Sequence, residues 1–132
     1  MSVFSFIDKV SEVEKGQSIT AFFTLKGDEE FLLDHFDGFP VMPGVLLLES
    51  LKQAACALLA DGSKNGSFYR LQAVHEVKFG QFVKPGSRFE IKVRRIRNEG
   101  DRIDFEGRAR LIEAEAPGAR VLQAEFSLVP LK

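Results

Sequence analysis

One of the chain's two histidines, His35, stands in a Gly- and Pro-containing loop, and a single carboxylate, Glu49, comes later within the apolar run from Val45 to Ala60. Histidine is the side chain whose ordinary pKa lies nearest neutral pH, so it can take a proton there without extreme tuning. A carboxyl group in apolar surroundings favours its neutral form. Leu46, Leu47, Leu48 and Leu51 around Glu49 therefore suit it to the role of an acid. Between the two lies Pro43-Gly44-Val45, a helix start at which Pro43 suits the first turn. The N–H groups of Gly44 and Val45 have no partner inside such a helix and, with its dipole, can bind an oxygen on which charge develops. Gly44 also lets a substrate approach the backbone closely. Gln53, one turn beyond Glu49, reaches the same region and can orient the carboxylate. By residue type alone, a loop histidine and a helix-surface glutamate remain a sufficient account of the pair.

The other reactive residue types give no second site. His75, within Ala73-Val74-His75-Glu76-Val77, reads as an ordinary strand residue, and Cys56 reads as a small core residue among alanines. One cysteine excludes an intrachain disulfide and a multi-cysteine metal site. No His/Cys/Asp cluster has metal-ligand spacing and no Gly-rich phosphate loop is present, so no metal, nucleotide or other cofactor is expected.

The elements that must position His35 and Glu49 are legible from periodicity. Residues 3–13 have strand character. Ser18 to Leu25 alternates, with Ile19, Ala21, Phe23 and Leu25 on one face. Asp28 is a plausible N-cap for a short helix through Glu29-Glu30-Phe31-Leu32-Leu33. The loop from His35 to Met42 leads into a helix over Pro43 to Ala60, apolar on nearly every side and so expected to be buried almost all round. After the polar linker Asp61 to Ser67, four strands are expected: Phe68 to Phe79, Ser87 to Arg97, Arg102 to Ile112 and Val121 to Val129. Pro85-Gly86, Asn98-Glu99-Gly100 and Pro117-Gly118 are the expected turns. The third strand should point Ile103, Phe105, Gly107, Ala109 and Leu111 inward, and the last Leu122, Ala124, Phe126 and Leu128. A slip of phase at Arg94-Arg95 suggests a bulge. One long helix followed by antiparallel strands predicts an α+β domain over residues 1–132, with a curved antiparallel sheet wrapped around a central helix.

At 132 residues the chain is long enough for one domain with a real core. Its 18 basic and 19 acidic residues give no global attraction to nucleic acid or an anionic membrane. No signal peptide and no apolar stretch of transmembrane length is visible, so a cytoplasmic location is expected. The 13 phenylalanines supply large apolar area with no polar atom to satisfy, which suits a dense core or the wall of an apolar pocket.

The segment His35-Phe36-x-Gly38-x-Pro40-Val41-Met42-Pro43-Gly44-Val45-Leu46, followed by Glu49 and Gln53, resembles the signature of the hotdog-fold 3-hydroxyacyl-[acyl-carrier-protein] dehydratases, the FabA/FabZ family. Weaker likeness extends to Phe6-Ile7-Asp8-Lys9-Val10, to Val77-Lys78-Phe79 and to Val83-x-Pro85-Gly86. The resemblance implies a single hotdog domain that converts a 3-hydroxyacyl thioester on acyl carrier protein to the trans-2-enoyl thioester. His35 would take the catalytic histidine position and Glu49 the catalytic carboxylate. The isomerising branch has Asp at that second position, so Glu49 points to dehydration without a double-bond shift. The resemblance further implies a homodimer with a shared site, His35 of one subunit facing Glu49 of the partner subunit, and the dehydrating branch often forms a trimer of dimers.

Departures from the pattern are local. Asp34 stands where the family usually has Gly, and Asp37 where it usually has Pro. Phe79-Gly80-Gln81-Phe82-Val83 lacks the family's basic pair and proline. These changes bear on acyl-chain preference and carrier docking. Phe36, Phe39, Phe79 and Phe82 are candidates to line the acyl pocket. The cluster Lys92, Arg94, Arg95 and Arg97 reads as a solvated sheet face, with a contact to an acidic carrier protein as the alternative. Two further readings are a hotdog thioesterase, against which the histidine motif argues, and a non-catalytic dehydratase-like partner subunit, against which the retained His35 and Glu49 argue.

Overall fold

The computed structural model describes residues 5–26, 44–60, 69–113 and 116–130. His35, Phe36 and Phe39, with the expected short helix after Asp28, lie outside the described residues. The described elements are β1 (Lys9–Glu14), β2 (Ser18–Thr24), α1 (Gly44–Leu59), β3 (Tyr69–Phe79), β4 (Arg88–Glu99), β5 (Arg102–Glu113) and β6 (Ala116–Pro130). The six strands form one sheet in the order β1-β2-β4-β5-β6-β3, antiparallel at each junction. This is the expected hotdog arrangement, one helix laid against one antiparallel sheet.

Period-two patterning decides which side of the sheet faces the helix. Ile19, Ala21 and Phe23 of β2, Phe89, Ile91 and Val93 of β4, Ile103, Phe105, Ala109 and Leu111 of β5, and Leu122, Ala124, Phe126 and Leu128 of β6 are all buried. Phe6, Phe23 and Phe89 form an edge-to-face series with ring centroids 5.6 and 5.7 Å apart, and Phe105 stacks on Phe126 at 5.5 Å. Against this surface α1 lays Leu47, Leu51, Ala54, Ala55 and Leu58. The helix approaches closely at Gly107 of β5, where an added Cβ would stand 3.1 Å from both Leu51 Cδ1 and Phe126 Cε1.

Several expectations need correction. The helix is not buried almost all round in this chain. One side packs on the sheet, whereas Leu46, Leu48, Glu49, Lys52 and Gln53 are half-buried and Val45 is 71% exposed. Apolar character on every side records how much surface wants covering, not which surface this sheet can reach. The first strand begins at Lys9, later than expected, because Phe6 turns into the core as an isolated anchor. Pro117-Gly118 is not a turn but part of β6, with Pro117 opposite Ile112. Pro117 lies near the start of β6, before β3 joins it at Leu122, so the proline sits in a two-stranded stretch rather than between two neighbours.

The bulge expected at Arg94-Arg95 falls one step later, between Arg95 and Arg97. β3 carries two register shifts, and Glu76, in the second, has φ of 51°. A bulge accounts for both the broken alternation of this strand and its non-glycine residue in the left-handed region.

Candidate functional site

The site is built at the start of α1. Gly44 is its first residue, and the ring of Phe79, at the end of β3, covers the side where Gly44 would carry a side chain. An added Cβ would meet Phe79 Cε1 at 2.9 Å and Cζ at 3.0 Å. A side chain at Gly44 would therefore push the Phe79 ring aside. The two residues after Phe79 tie it to β6. Gly80 N–H donates to the Val121 carbonyl at 2.9 Å and Gln81 N–H to the Arg120 carbonyl at 2.8 Å. An added Cβ at Gly80 would fall on the Arg120 carbonyl oxygen.

Glu49 lies one turn beyond Val45 on the same face of the helix, about 6 Å along the axis at 1.5 Å per residue. Its side chain is 36% exposed. Gln53 Nε2 donates to Glu49 Oε2 at 3.2 Å, while Gln53 Oε1 accepts from the Phe6 backbone N–H at 2.7 Å. That second bond fixes which end of the amide faces the carboxylate, since an amide has one accepting and one donating end. The Phe6 ring is locked in the core, so the aromatic series under the sheet indirectly orients Glu49. Lys52 Nζ stands 3.9 Å from the other carboxylate oxygen, Oε1.

Gly44, Val45, Glu49, Gln53 and Phe79 are therefore brought together. Phe82 is 60% exposed beyond Gly80 and the Phe79 ring 53% exposed, so neither is enclosed within this chain. Sequence reasoning missed the Phe6 amide, for which the sequence carries no signal. It also missed Lys52, which the three-residue spacing to Glu49 could have flagged. Cys56 lies one turn below Lys52, and burial pushes its thiol up to about 11, with Lys52 opposing and Glu49 adding to the effect.

A second polar cluster lies across the sheet. Asp104 accepts from the Ser127 hydroxyl at 2.7 Å and has Arg102 Nε at 3.0 Å and Arg97 Nε at 3.4 Å. Burial works against its charge, but the Ser127 hydrogen bond and the two arginines outweigh it and hold the carboxyl below its ordinary range.

Residues 11–116 match the model of a family described as ApeI-like, ApeI dehydratase. The chain is 38% identical over 127 residues to a 3-hydroxyacyl-[acyl-carrier-protein] dehydratase FabZ of Myxococcus xanthus, covering 93% of this chain and 79% of that protein. It is 37% identical over 128 residues to the FabZ of Thiobacillus denitrificans, covering 93% and 84%. Among solved structures it is similar to a chain of the dehydratase heterocomplex ApeI:P from Xenorhabdus doucetiae, with a TM-score of 0.71, 18% identity and coverage of 96% and 99%.

Proposed function

The chain belongs to the ApeI-like dehydratase family, and on that premise we propose that it removes water from (3R)-3-hydroxyacyl chains carried as thioesters on acyl carrier protein, giving the trans-2-enoyl thioester in fatty-acid or related biosynthesis. The observation that carries this reading is identity of 37 to 38% over 93% of the chain to two proteins of that named activity. His35 takes the proton from C2. Glu49 gives a proton to the C3 hydroxyl, which leaves as water. The N–H groups of Gly44 and Val45 hold the thioester oxygen as charge gathers on it. Return of the proton from His35 to Glu49 resets the pair. Gln53 positions the carboxylate. Phe36, Phe39, Phe79 and Phe82 line the path of the acyl chain.

The working unit is a homodimer in which His35 of one subunit faces Glu49 of the partner subunit. Two observations support it. Among the described residues β3 ends the sheet, leaving a ladder edge beside exposed Leu71, Val77 and Phe79. The helix face that bears Glu49 is left half-covered by its own sheet. Among the described residues no helix is long and apolar enough to cross a membrane, which fits the cytoplasmic location proposed here. A second reading, a dehydratase-like subunit working beside a different chain, has behind it the likeness to a chain of the solved dehydratase heterocomplex ApeI:P.

The test supplies a 3-hydroxyacyl thioester on carrier protein to the purified chain and follows enoyl absorbance together with free thiol. Enoyl formation without thiol release is expected. Thiol release alone would replace the reading by a thioesterase, and silence from the chain alone would favour the second reading. His35→Ala and Glu49→Gln should each lower turnover by about 10² to 10⁴ with the fold kept.

A further inference from the structure

Glu49 and Lys52 are the only charged residues of α1, and they stand within one turn of each other. Neither lies in the end turn where its charge would complement the helix dipole. A partly exposed ion pair on a helix also adds little to stability. Lys52 is 27% exposed, on the face that the proposed dimer covers, and an ammonium covered in this way needs acceptors.

The two oxygens of Glu49 are held differently. Oε2 accepts from Gln53 Nε2 at 3.2 Å, and the bond from the Phe6 N–H to Gln53 Oε1 keeps that donor in place. In a neutral carboxyl group the accepting oxygen is the one without the proton, so the transferable proton belongs on Oε1. Oε1 is also the oxygen that faces Lys52, with Nζ at 3.9 Å. That separation is too long for a hydrogen bond but leaves room for a third polar atom in contact with both. Among the described residues no hydrogen bond reaches Oε1. Asp104 shows the contrast. Ser127 donates to its Oδ1 at 2.7 Å and Arg102 Nη2 to its Oδ2 at 3.4 Å, so both oxygens are taken.

The N–H groups assigned to the thioester oxygen lie one turn before Glu49, so a hydroxyl two carbons from that carbonyl comes to the gap between Oε1 and Nζ. We propose that Lys52 is a specificity residue for the 3-hydroxyl group, its ammonium donating to the C3 oxygen while Glu49 Oε1 protonates it. The inference rests on the dehydratase reading above. As His35 takes the C2 proton, the electron pair of that C–H bond becomes the second bond between C2 and C3. The C3–O bond breaks with its pair on oxygen, and the proton from Oε1 completes the water. Lys52 keeps its own protons and stabilises charge on the departing oxygen. An acyl chain without a C3 oxygen gains nothing from it.

The experiment uses the full chain and two carrier-borne acyl groups of one length. One is the 3-hydroxyacyl substrate, and the other is the saturated acyl group, a competitive inhibitor with no oxygen at C3. Lys52→Met keeps an unbranched side chain and removes the charge. It should lower kcat/KM for the 3-hydroxyacyl substrate by about tenfold or more and leave Ki for the saturated chain within about twofold of wild type. Lys52→Arg keeps a charged donor and should recover most of the rate. Wild-type kcat/KM in Lys52→Met would overturn the assignment. So would a loss of kcat/KM matched by an equal rise in Ki, which marks a role in shaping the site alone. Lys52→Leu carries the same comparison if Lys52→Met does not fold. If the wild type forms no enoyl product, the dehydratase reading falls and the Lys52 role with it, whereas normal turnover in both wild type and Lys52→Met removes only the role of Lys52.

Discussion

Gln53 joins two structural demands that substitution can separate. Its Oε1 accepts the Phe6 N–H at 2.7 Å and its Nε2 donates to Glu49 at 3.2 Å. Gln53→Ala removes both. The amide of Phe6, a residue only 1% exposed, loses its acceptor, and the carboxylate loses its guide. Depriving a buried N–H of its partner costs about 1 to 3 kcal/mol, so about 2 kcal/mol is expected here. For a chain of this length that corresponds to roughly 8 °C in Tm. Gln53→Glu keeps an oxygen for the Phe6 amide but puts a second acceptor where Glu49 needs a donor. It should retain most of the stability, losing under about 1 kcal/mol, while kcat falls by about tenfold or more because the carboxylate swings off line. Thermal unfolding and enoyl-forming kinetics on the pair of variants measure the two effects separately. Wild-type kcat in Gln53→Glu would refute the positioning role, and wild-type Tm in Gln53→Ala would refute the anchor through Phe6.

Three other outcomes rest on individual contacts. Gly80→Ala drives a Cβ into the Arg120 carbonyl, a backbone atom that cannot swing aside, and should cost about 3 kcal/mol or more in a denaturant titration. Asp104→Asn should lower stability at pH 7 by about 1 to 2 kcal/mol through the lost ion pairs with Arg102 and Arg97 and the weakened hydrogen bond from Arg102 Nη2. The Asp104 carboxyl is held below its ordinary value of 3.8, so its contribution is whole above that pH and disappears as pH falls through the lower folded-state value. The gap between Asp104→Asn and wild type should accordingly close in unfolding curves taken below pH 3.8. Cys56, with its thiol pushed up to about 11, should resist iodoacetamide at pH 8 in the native protein and react after denaturation.

The strands β2, β5 and β6 were legible because each keeps one face on the helix, and a residue's parity then states its burial. β3 was harder. Its two bulges break the parity, and as an end strand it exposes Leu71, Val77 and Phe79, apolar residues that a periodicity argument assigns inward. Pro117-Gly118 misled because turn chemistry is local, whereas the pairing of Pro117 with Ile112 of β5 is a long-range fact of the sheet. The helix misled for a related reason, since residue types cannot say whether a second surface is covered by the same chain. Glu49 and Gln53 could be placed beside each other from four-residue spacing alone. The Phe6 amide could not, because it lies 47 residues from Gln53 in the chain. Neither could the pairing of Lys92 with Arg108, which exists only once strand register sets β4 against β5.

Subunit complementation is the decisive test of a His35–Glu49 acid–base pair formed across two copies. His35→Ala and Glu49→Gln proteins, each inactive alone, are mixed under conditions that exchange subunits, and enoyl formation is recorded. Random exchange makes half the dimers mixed, each with one intact site, so about a quarter of wild-type activity should return for a closed two-fold dimer. Continued inactivity of a mixture shown to contain mixed dimers would contradict the shared pair.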